Sequence, residues 1–387
     1  MLAVLARRLA ALLAVLIVAT AIPVAAQAAD ADKDGLTNAF ETKWRLSSPT
    51  KQDSDGAGVI DAAEDFDNDG LGALGEQRAG TNPRKADTDG DGVVDSLEDH
   101  DGDGRSNALE QDQRRVPLAL KPTLARAARD RPRTKGKWCS PPPASSRVKT
   151  CHFGNPKSDT TVVLMGDSHA VAWSEAAWRA AESSGWHLIT LFKSACVPLT
   201  GVYSVAMHKR NRGKACEGWR EGALEWIAKR GRKIDVLILA TSDAYTLARP
   251  NGSVIKAAAG APIWAAGMRK TLKAVPERIK VIVLGDVPRN TRDPVTCLKH
   301  NRGDMSRCVT PRESGASLVV ADALRRATRS QGEYHRSLNG QICPYDPCPL
   351  VQGTTMVWRD KSHLTGTFAR KLMPSFRRMV NDVLKGK

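Results

Sequence analysis

Four stretches of this 387-residue sequence set carboxylates on alternate residues and end on a glutamate at the twelfth position. Asp30, Asp32 and Asp34 lead to Glu41; Asp65, Asp67 and Asp69 lead to Glu76. Asp87, Asp89 and Asp91 lead to Glu98, and Asp99, Asp101 and Asp103 lead to Glu110. A degraded copy runs from Asp53 and Asp55 to Glu64, with Ala57 where the third carboxylate would stand. Three short carboxylates on alternate residues converge on one point, the glycine at position six permits the sharp turn, and the last glutamate can bind through both oxygens. That is the donor set of a hard cation of calcium's size. Without a cation, clustered carboxylates repel. The loops therefore predict structural Ca²⁺; the alternative is a solvated acidic spacer that binds no metal.

A second pattern is nucleophilic. Gly166-Asp167-Ser168-His169 stands far from Asp360-Lys361-Ser362-His363 in the chain. A serine hydroxyl is a poor nucleophile until a base takes its proton, and the base needs an orienting carboxylate. Ser168 as nucleophile, His363 as base and Asp360 as its orienter meet that need, because i, i+3 spacing puts the last two on one side of a turn. No cofactor is required for this chemistry. Read separately, Ser168 could be a helix cap and His363 an exposed histidine.

Something must carry Ser168 to His363. The apolar runs Thr161–Met165, His187–Phe192, Ile234–Ala240, Val281–Leu284 and Thr354–Trp358 read as five buried parallel strands. Trp173, Ala176, Ala177, Ala180 and Ala181 make an amphipathic helix between the first two. Leu364, Phe368, Leu372, Phe376, Val380 and Val383 make another after the last, with Pro374 a kink. Strands with helical crossovers give a three-layer α/β/α domain, whose sites lie at the carboxyl ends of the strands.

Gly-Asp-Ser-His after the first strand, with Asp-x-x-His before the last helix, resembles an SGNH (GDSL-like) hydrolase. The chain is most similar to the SGNH domain appended to membrane acyltransferases of the acyltransferase-3 type, over roughly residues 139–385, and the Lys193-Ser194-Ala195-Cys196 segment adds to the likeness. The resemblance implies an SGNH/flavodoxin-like fold and assigns Ser168, His363 and Asp360 their roles. His169 fits the family tetrad or is structural. The family's further oxyanion donors are a glycine after strand two and an asparagine after strand three; here stand Ser194-Ala195 and Thr241-Ser242-Asp243. The oxyanion candidates are thus the Ser168 amide, Ala195 and Ser242. The acidic loops begin at 30, 53, 65, 87 and 99, and the 12-residue steps leave no room for flanking helices. They resemble thrombospondin type 3 repeats, which implies a chain wound around Ca²⁺ with little core.

The net charge of +16 is the sum of opposites: residues 29–113 carry −14 and residues 114–387 carry +28. Arg7 and Arg8, an apolar run and Ala26-Gln27-Ala28 make residues 1–28 a secretory signal peptide, or else an uncleaved anchor. After cleavage no transmembrane segment is expected. Residues 29–113 form the calcium repeats, 114–138 a basic, proline-containing linker, and 139–387 the SGNH-like domain. Export favours disulfides. Pairing the eight cysteines as sequence neighbours gives Cys139–Cys151, Cys196–Cys216, Cys297–Cys308 and Cys343–Cys348, and no Cys-x2-Cys pair suggests zinc.

These readings describe a secreted or envelope-associated serine esterase or deacylase. It would act through an acyl-serine on acyl esters of an extracellular glycan or cell-wall polymer, anionic to match the basic domain. The linker has no interleaved aromatics, which argues against nucleic acid. The relatives' membrane acyl-donor module is absent from this sequence, which favours hydrolysis. The alternatives are an O-acyltransferase modifying an envelope polysaccharide and an inactive calcium-dependent binding protein.

Overall fold

Runs of Val, Leu and Ile bury both faces of a six-stranded sheet in the computed structural model. The structure describes residues 29–387 apart from 101, 103–105, 112–115, 135–138, 210–211, 250, 256, 310–317 and 345–346. The expected leader, residues 1–28, and Asp101 and Asp103 lie outside the described residues. The strands are β1 (Thr150–Gly154), β2 (Thr161–Gly166), β3 (His187–Phe192), β4 (Val236–Ala240), β5 (Lys280–Leu284) and β6 (Tyr334–Arg336). Their order is β1-β3-β2-β4-β5-β6. Only β1 runs antiparallel to its neighbour.

Alternation along β2 divides the core. Val162 and Leu164 pack with Trp173, Ala176 and Phe376 on one face. Val163 and Met165 pack with Trp219, Trp264 and Met268 on the other. Helices α1 (Ser168–Ala172), α2 (Ser174–Ser184), α3 (Gly213–Arg230), α4 (Ala257–Lys273), α5 (Leu318–Arg329), α6 (Gly366–Lys371) and α7 (Met373–Leu384) supply the crossovers and outer layers.

The α/β class agrees with the sequence reading, but the fifth parallel strand is Tyr334–Arg336. Of Thr354–Trp358, only Thr355–Met356 is extended, in an antiparallel hairpin with Val351–Gln352. Gly353, at φ 58°, turns that run back on its own neighbour. Edge strand β1 was not expected; its five residues are only half buried. The terminal helix breaks at Leu372, and Pro374 falls in the first turn of α7, where its missing N–H costs no bond.

The described part of the segment expected as a linker packs on the α/β domain. Leu120, Leu124 and Ala127 join the first core cluster. Asp130 accepts from the amides of Gly366 (2.8 Å) and Thr367 (2.8 Å). An apolar stripe at i, i+4 and i+7 inside a basic composition explains why charge alone misjudged it. The cysteines bond as Cys139–Cys151, Cys196–Cys216, Cys297–Cys308 and Cys343–Cys348.

The acidic loops have little core: Leu36, Ala62 and Ala73, with Phe40, Ile60, Phe66 and Leu74 against them. Short helices Asn38–Trp44 and Ala73–Ala79 punctuate them. The degraded copy meets α7, where Ser375 donates to the Ala57 carbonyl (2.8 Å) and Arg378 to that of Gly56.

Candidate active site

Strand β2 has β3 on one side and β4 on the other, so the chain leaves its carboxyl end at a switch point of the sheet. Gly166, at φ 156°, makes the exit possible: a Cβ there would lie 1.8 Å from the Ala240 carbonyl oxygen. Asp167 then caps α1, accepting from the His169 amide at 2.8 Å. Its other oxygen accepts from the Thr241 hydroxyl (2.7 Å) and the Ser242 amide (3.1 Å), which locks the turn to the end of β4.

Ser168 opens α1, and its Oγ lies 3.0 Å from His363 Nε2. His363 Nδ1 lies 2.9 Å and 3.0 Å from the two oxygens of Asp360. Asp360 Oδ1 also accepts from the amides of Ser362 and His363, both at 2.9 Å, so the turn orients its own carboxylate. Burial would raise the Asp360 carboxyl. The His363 hydrogen bond and charge, the Ser362 amide and Arg359 outweigh it and hold the group at about 2. Burial lowers the His363 pKa; Asp360 pulls it back up, while the charges of His169 and Arg359 push it further down.

A second His–Asp pair stands behind the first. His169 Nδ1 lies 2.5 Å from Asp286 Oδ1, with both side chains almost wholly buried. Burial opposes a charged His169, but the charge and hydrogen bond of Asp286, with Asp167 beyond, raise it to about 9 against the weaker effect of Arg289. Its ring lies against that of His363, centroids 4.6 Å apart. Tyr245 is close to Asp167 and Ser168, and burial with the Asp167 charge keeps its phenol protonated. Asp286 and Tyr245 were missed from sequence. The only signal for Asp286 was its place just past β5.

The oxyanion candidates divide. No hydrogen bond engages the Ser168 amide among the described residues. Ala195 follows β3 at φ 59°, the left-handed conformation a glycine would adopt, so the missing glycine is replaced in backbone shape. The Ser242 amide is taken by Asp167. Lys193, wholly buried, donates to the carbonyls of Pro143 (3.1 Å) and Ser145 (2.7 Å) and fixes the loop before Ala195. Beside the pair, a cavity of about 260 Å³ is lined by Thr241, Asp243, Met268, Val283, Asp286 and Arg289.

The acidic loops share one scaffold. The glycine amide at position six donates to the first carboxylate: Gly35 to Asp30 (3.2 Å), Gly58 to Asp53 (2.8 Å), Gly70 to Asp65 (3.0 Å) and Gly92 to Asp87 (3.0 Å). Asp30, Asp32 and Asp34 bring oxygens within 4.8 Å of one another, as do Asp65, Asp67 and Asp69, and Asp87, Asp89 and Asp91. Asp53, Asp55 and Glu64 form no such cluster, nor do Asp99 and Glu110 among the described residues. Glu41 and Glu76 are buried, whereas Glu98 is partly exposed. Buried carboxylate oxygens on Asp32, Glu41, Asp53, Asp65, Asp67 and Glu76 have no hydrogen-bond partner. Burial, with mutual repulsion, pushes Asp34 and Glu64 up to about 7 and Glu76 to about 8. A divalent cation would supply the missing partner, so the donor set fits calcium.

The SGNH domain (fused to AT3 domains) family matches residues 138–378. No curated protein matched. Among solved structures, the periplasmic domain of a lipopolysaccharide acetyltransferase from Salmonella ser. Paratyphi A is 14% identical, with a TM-score of 0.44 over 58% of this chain and 84% of that one. A carbohydrate acetylesterase from Sinorhizobium meliloti is 14% identical, with a TM-score of 0.37 over 58% and 99%. An aryl esterase from M. smegmatis is 13% identical, with a TM-score of 0.33 over 58% and 99%.

Proposed function

The chain belongs to the SGNH domain (fused to AT3 domains) family, and from that premise we propose a serine esterase or deacylase acting on acyl esters of a carbohydrate. The family makes it an ester hydrolase or an O-acyltransferase. The observation that carries the serine mechanism is the 3.0 Å contact between Ser168 Oγ and His363 Nε2, with Asp360 on the far nitrogen.

Ser168 Oγ attacks the ester carbonyl while its proton passes to His363 Nε2. Asp360 holds the Nδ1–H and stabilises the imidazolium that forms. The Ser168 and Ala195 amides are the candidate donors to the oxygen that gains charge. Collapse breaks the bond to the sugar oxygen, which leaves with the proton from His363, and the acyl group stays on Ser168. Water then enters, His363 takes its proton, and the acid departs as Ser168 recovers its hydrogen. The His169 imidazolium, held by Asp286, opposes a second positive charge on His363 and so favours return of the proton to the leaving oxygen.

Hydrolysis of p-nitrophenyl acetate tests the assignment. Ser168→Ala is expected to lower kcat by about 10³-fold or more without changing the fold. Equal rates in the two proteins reject Ser168 as nucleophile. A second reading, O-acyl transfer to a sugar hydroxyl, is favoured by the family's fusion to AT3 domains. A glycan acceptor followed by mass spectrometry separates the two.

The +28 charge of residues 114–387 supports an anionic envelope or extracellular glycan as substrate. Four disulfides and the leader pattern support secretion. No helix among the described residues is long and apolar enough to cross a membrane. Residues 29–113 are read as a separate module holding structural Ca²⁺, supported by the unpartnered buried carboxylate oxygens.

A further inference from the structure

In four of the five acidic loops the ninth position follows a rule of its own; loop 65–76 has Ala73 there. Asn38 accepts from the Ala31 amide (2.9 Å), Asp61 from Ser54 (2.9 Å), Asp95 from Thr88 (2.7 Å) and Asn107 from His100 (3.0 Å). In each case the ninth side chain closes its own loop onto the second residue. Asparagine suffices for that task, as Asn38 and Asn107 show. At 61 and 95 the second carboxylate oxygen also accepts, from the hydroxyls of Ser54 (2.7 Å) and Thr88 (2.6 Å), so a role toward the neighbouring loop needs evidence of its own.

The geometry supplies it. Asp95 is buried and gathers with Asp69 and Glu76 of the preceding loop, their oxygens within 4.8 Å of one another. It does not gather with Asp87, Asp89 and Asp91 of its own loop. Glu76 is 1% exposed and its Oε1 has no partner; nor has the buried Oδ2 of Asp67. The seam is pinned beside this point, where the Ser96 amide donates to Asp69 Oδ2 (2.9 Å) and the Ser96 hydroxyl to the Asp69 carbonyl (2.7 Å).

The first two loops repeat the pinning. Ala62, one residue past Asp61, donates its amide to Asp34 Oδ2 (3.1 Å), as Ser96 does one residue past Asp95. Asp61 is 1% exposed, but both its oxygens accept from Ser54 and it gathers with no carboxylates of the first loop. The loops are thus built in pairs, 30–41 with 53–64 and 65–76 with 87–98.

We propose that the cation of Asp65, Asp67, Asp69 and Glu76 takes Asp95 from the following loop as a further ligand. This rests on reading the loops as calcium sites. Such an ion joins two loops, so binding and folding are coupled across the pair. The degraded copy, having lost its third carboxylate at Ala57, turns its backbone to α7.

Calcium bound per full-length chain, measured by atomic absorption after dialysis at a series of free Ca²⁺ concentrations, tests this. Asp95→Asn keeps the acceptor for the Thr88 amide, so the loop still closes, and gives up only that for the Thr88 hydroxyl. It is expected to weaken one site by about tenfold or more. The loss is expected to persist when Asp87→Asn and Asp89→Asn have already disabled the loop containing Asp95. It is expected to vanish when Glu76→Gln has disabled the preceding one. A silent Asp95→Asn overturns the proposal. So does an effect that vanishes with Asp87→Asn and Asp89→Asn but survives Glu76→Gln. A wild-type chain that binds no calcium overturns the parent reading instead, which is a separate result. Melting of each variant at saturating Ca²⁺ confirms that the loops still fold.

Discussion

The two halves of the chain treat buried carboxylates in opposite ways. In the α/β domain each one described has its partner within the protein. Asp286 has His169, and Asp167 has Thr241, Ser242 and the His169 amide. Glu175, 1% exposed, binds Arg179 (3.1 Å) and Arg370 (3.2 Å) and accepts from the Arg133 amide (2.8 Å). In the acidic loops, buried oxygens on six carboxylates face one another with no hydrogen-bond partner. One region carries its own counter-charges and rests on a two-sided apolar core. The other has three buried apolar side chains in its main cluster, and the proposed cation would complete it. Burial of a carboxylate is therefore not one kind of evidence: paired, it marks a site the protein completes, and unpaired, a site for a ligand.

The sharpest way to break this contrast is at the triad. His363→Ala is expected to lower kcat on a short-chain ester by about 10³-fold or more, and Asp360→Asn by about 10²-fold or more, with melting unchanged. A loss of melting temperature matching the loss of activity makes these residues structural. Chelation comes next. EDTA on the full chain is expected to lower the melting of residues 29–111 and leave that of the α/β domain in place, each site giving up about 2.7 kcal/mol if it was held at 100 times its Kd. One transition that shifts as a whole, or none that shifts, erases the distinction.

Smaller effects probe the paired side. Glu175→Ala leaves Arg179, Arg370 and the Arg133 amide without their acceptor, at an expected cost of about 2–4 kcal/mol by denaturant unfolding. His169→Gln removes the cation beside His363. The groups facing His363 are Asp360, Arg359, Ser168 and His169, and of these only His169 is lost. The acidic limb of kcat/KM is then expected to move upward by about one pH unit. A uniform fall in rate at every pH would instead make His169 a packing residue.

The same pair bears on stability. Asp286 raises His169 from about 6.5 to about 9, so its contribution is fully present below pH 6.5 and lost as pH rises through 9. The stability gap between wild type and Asp286→Asn is expected to shrink over that window. A gap that is constant with pH removes the charge from the explanation.

Much of the fold and site was legible because the patterns are local. Strands β2 to β5 are apolar runs whose burial is written in their composition. Asp360 and His363 are one turn apart, and the acidic loops repeat at fixed spacing. Strand β6 was not legible: Tyr-His-Arg has no apolar run, and it is a strand only because the edge of β5 was open to it. Thr354–Trp358 failed in the opposite sense, a good strand sequence captured by a nearer partner across Gly353. Asp286 and Asp95 carry no motif at all.

By itself the sequence determined which residue types were present for the chemistry, and at what local spacing: a serine after a strand, a carboxylate three residues before a histidine, carboxylates on alternate residues around a glycine. Only the tertiary structure decided which distant groups meet. It brought Ser168 to His363 across 195 residues, set His169 against that same ring, and assigned Asp95 to the loop before its own. The reason is physical. Local spacing is fixed by backbone geometry within a turn or loop, whereas long-range meetings are fixed by how strands order in the sheet and how loops pack, and those follow from burial summed over the whole chain.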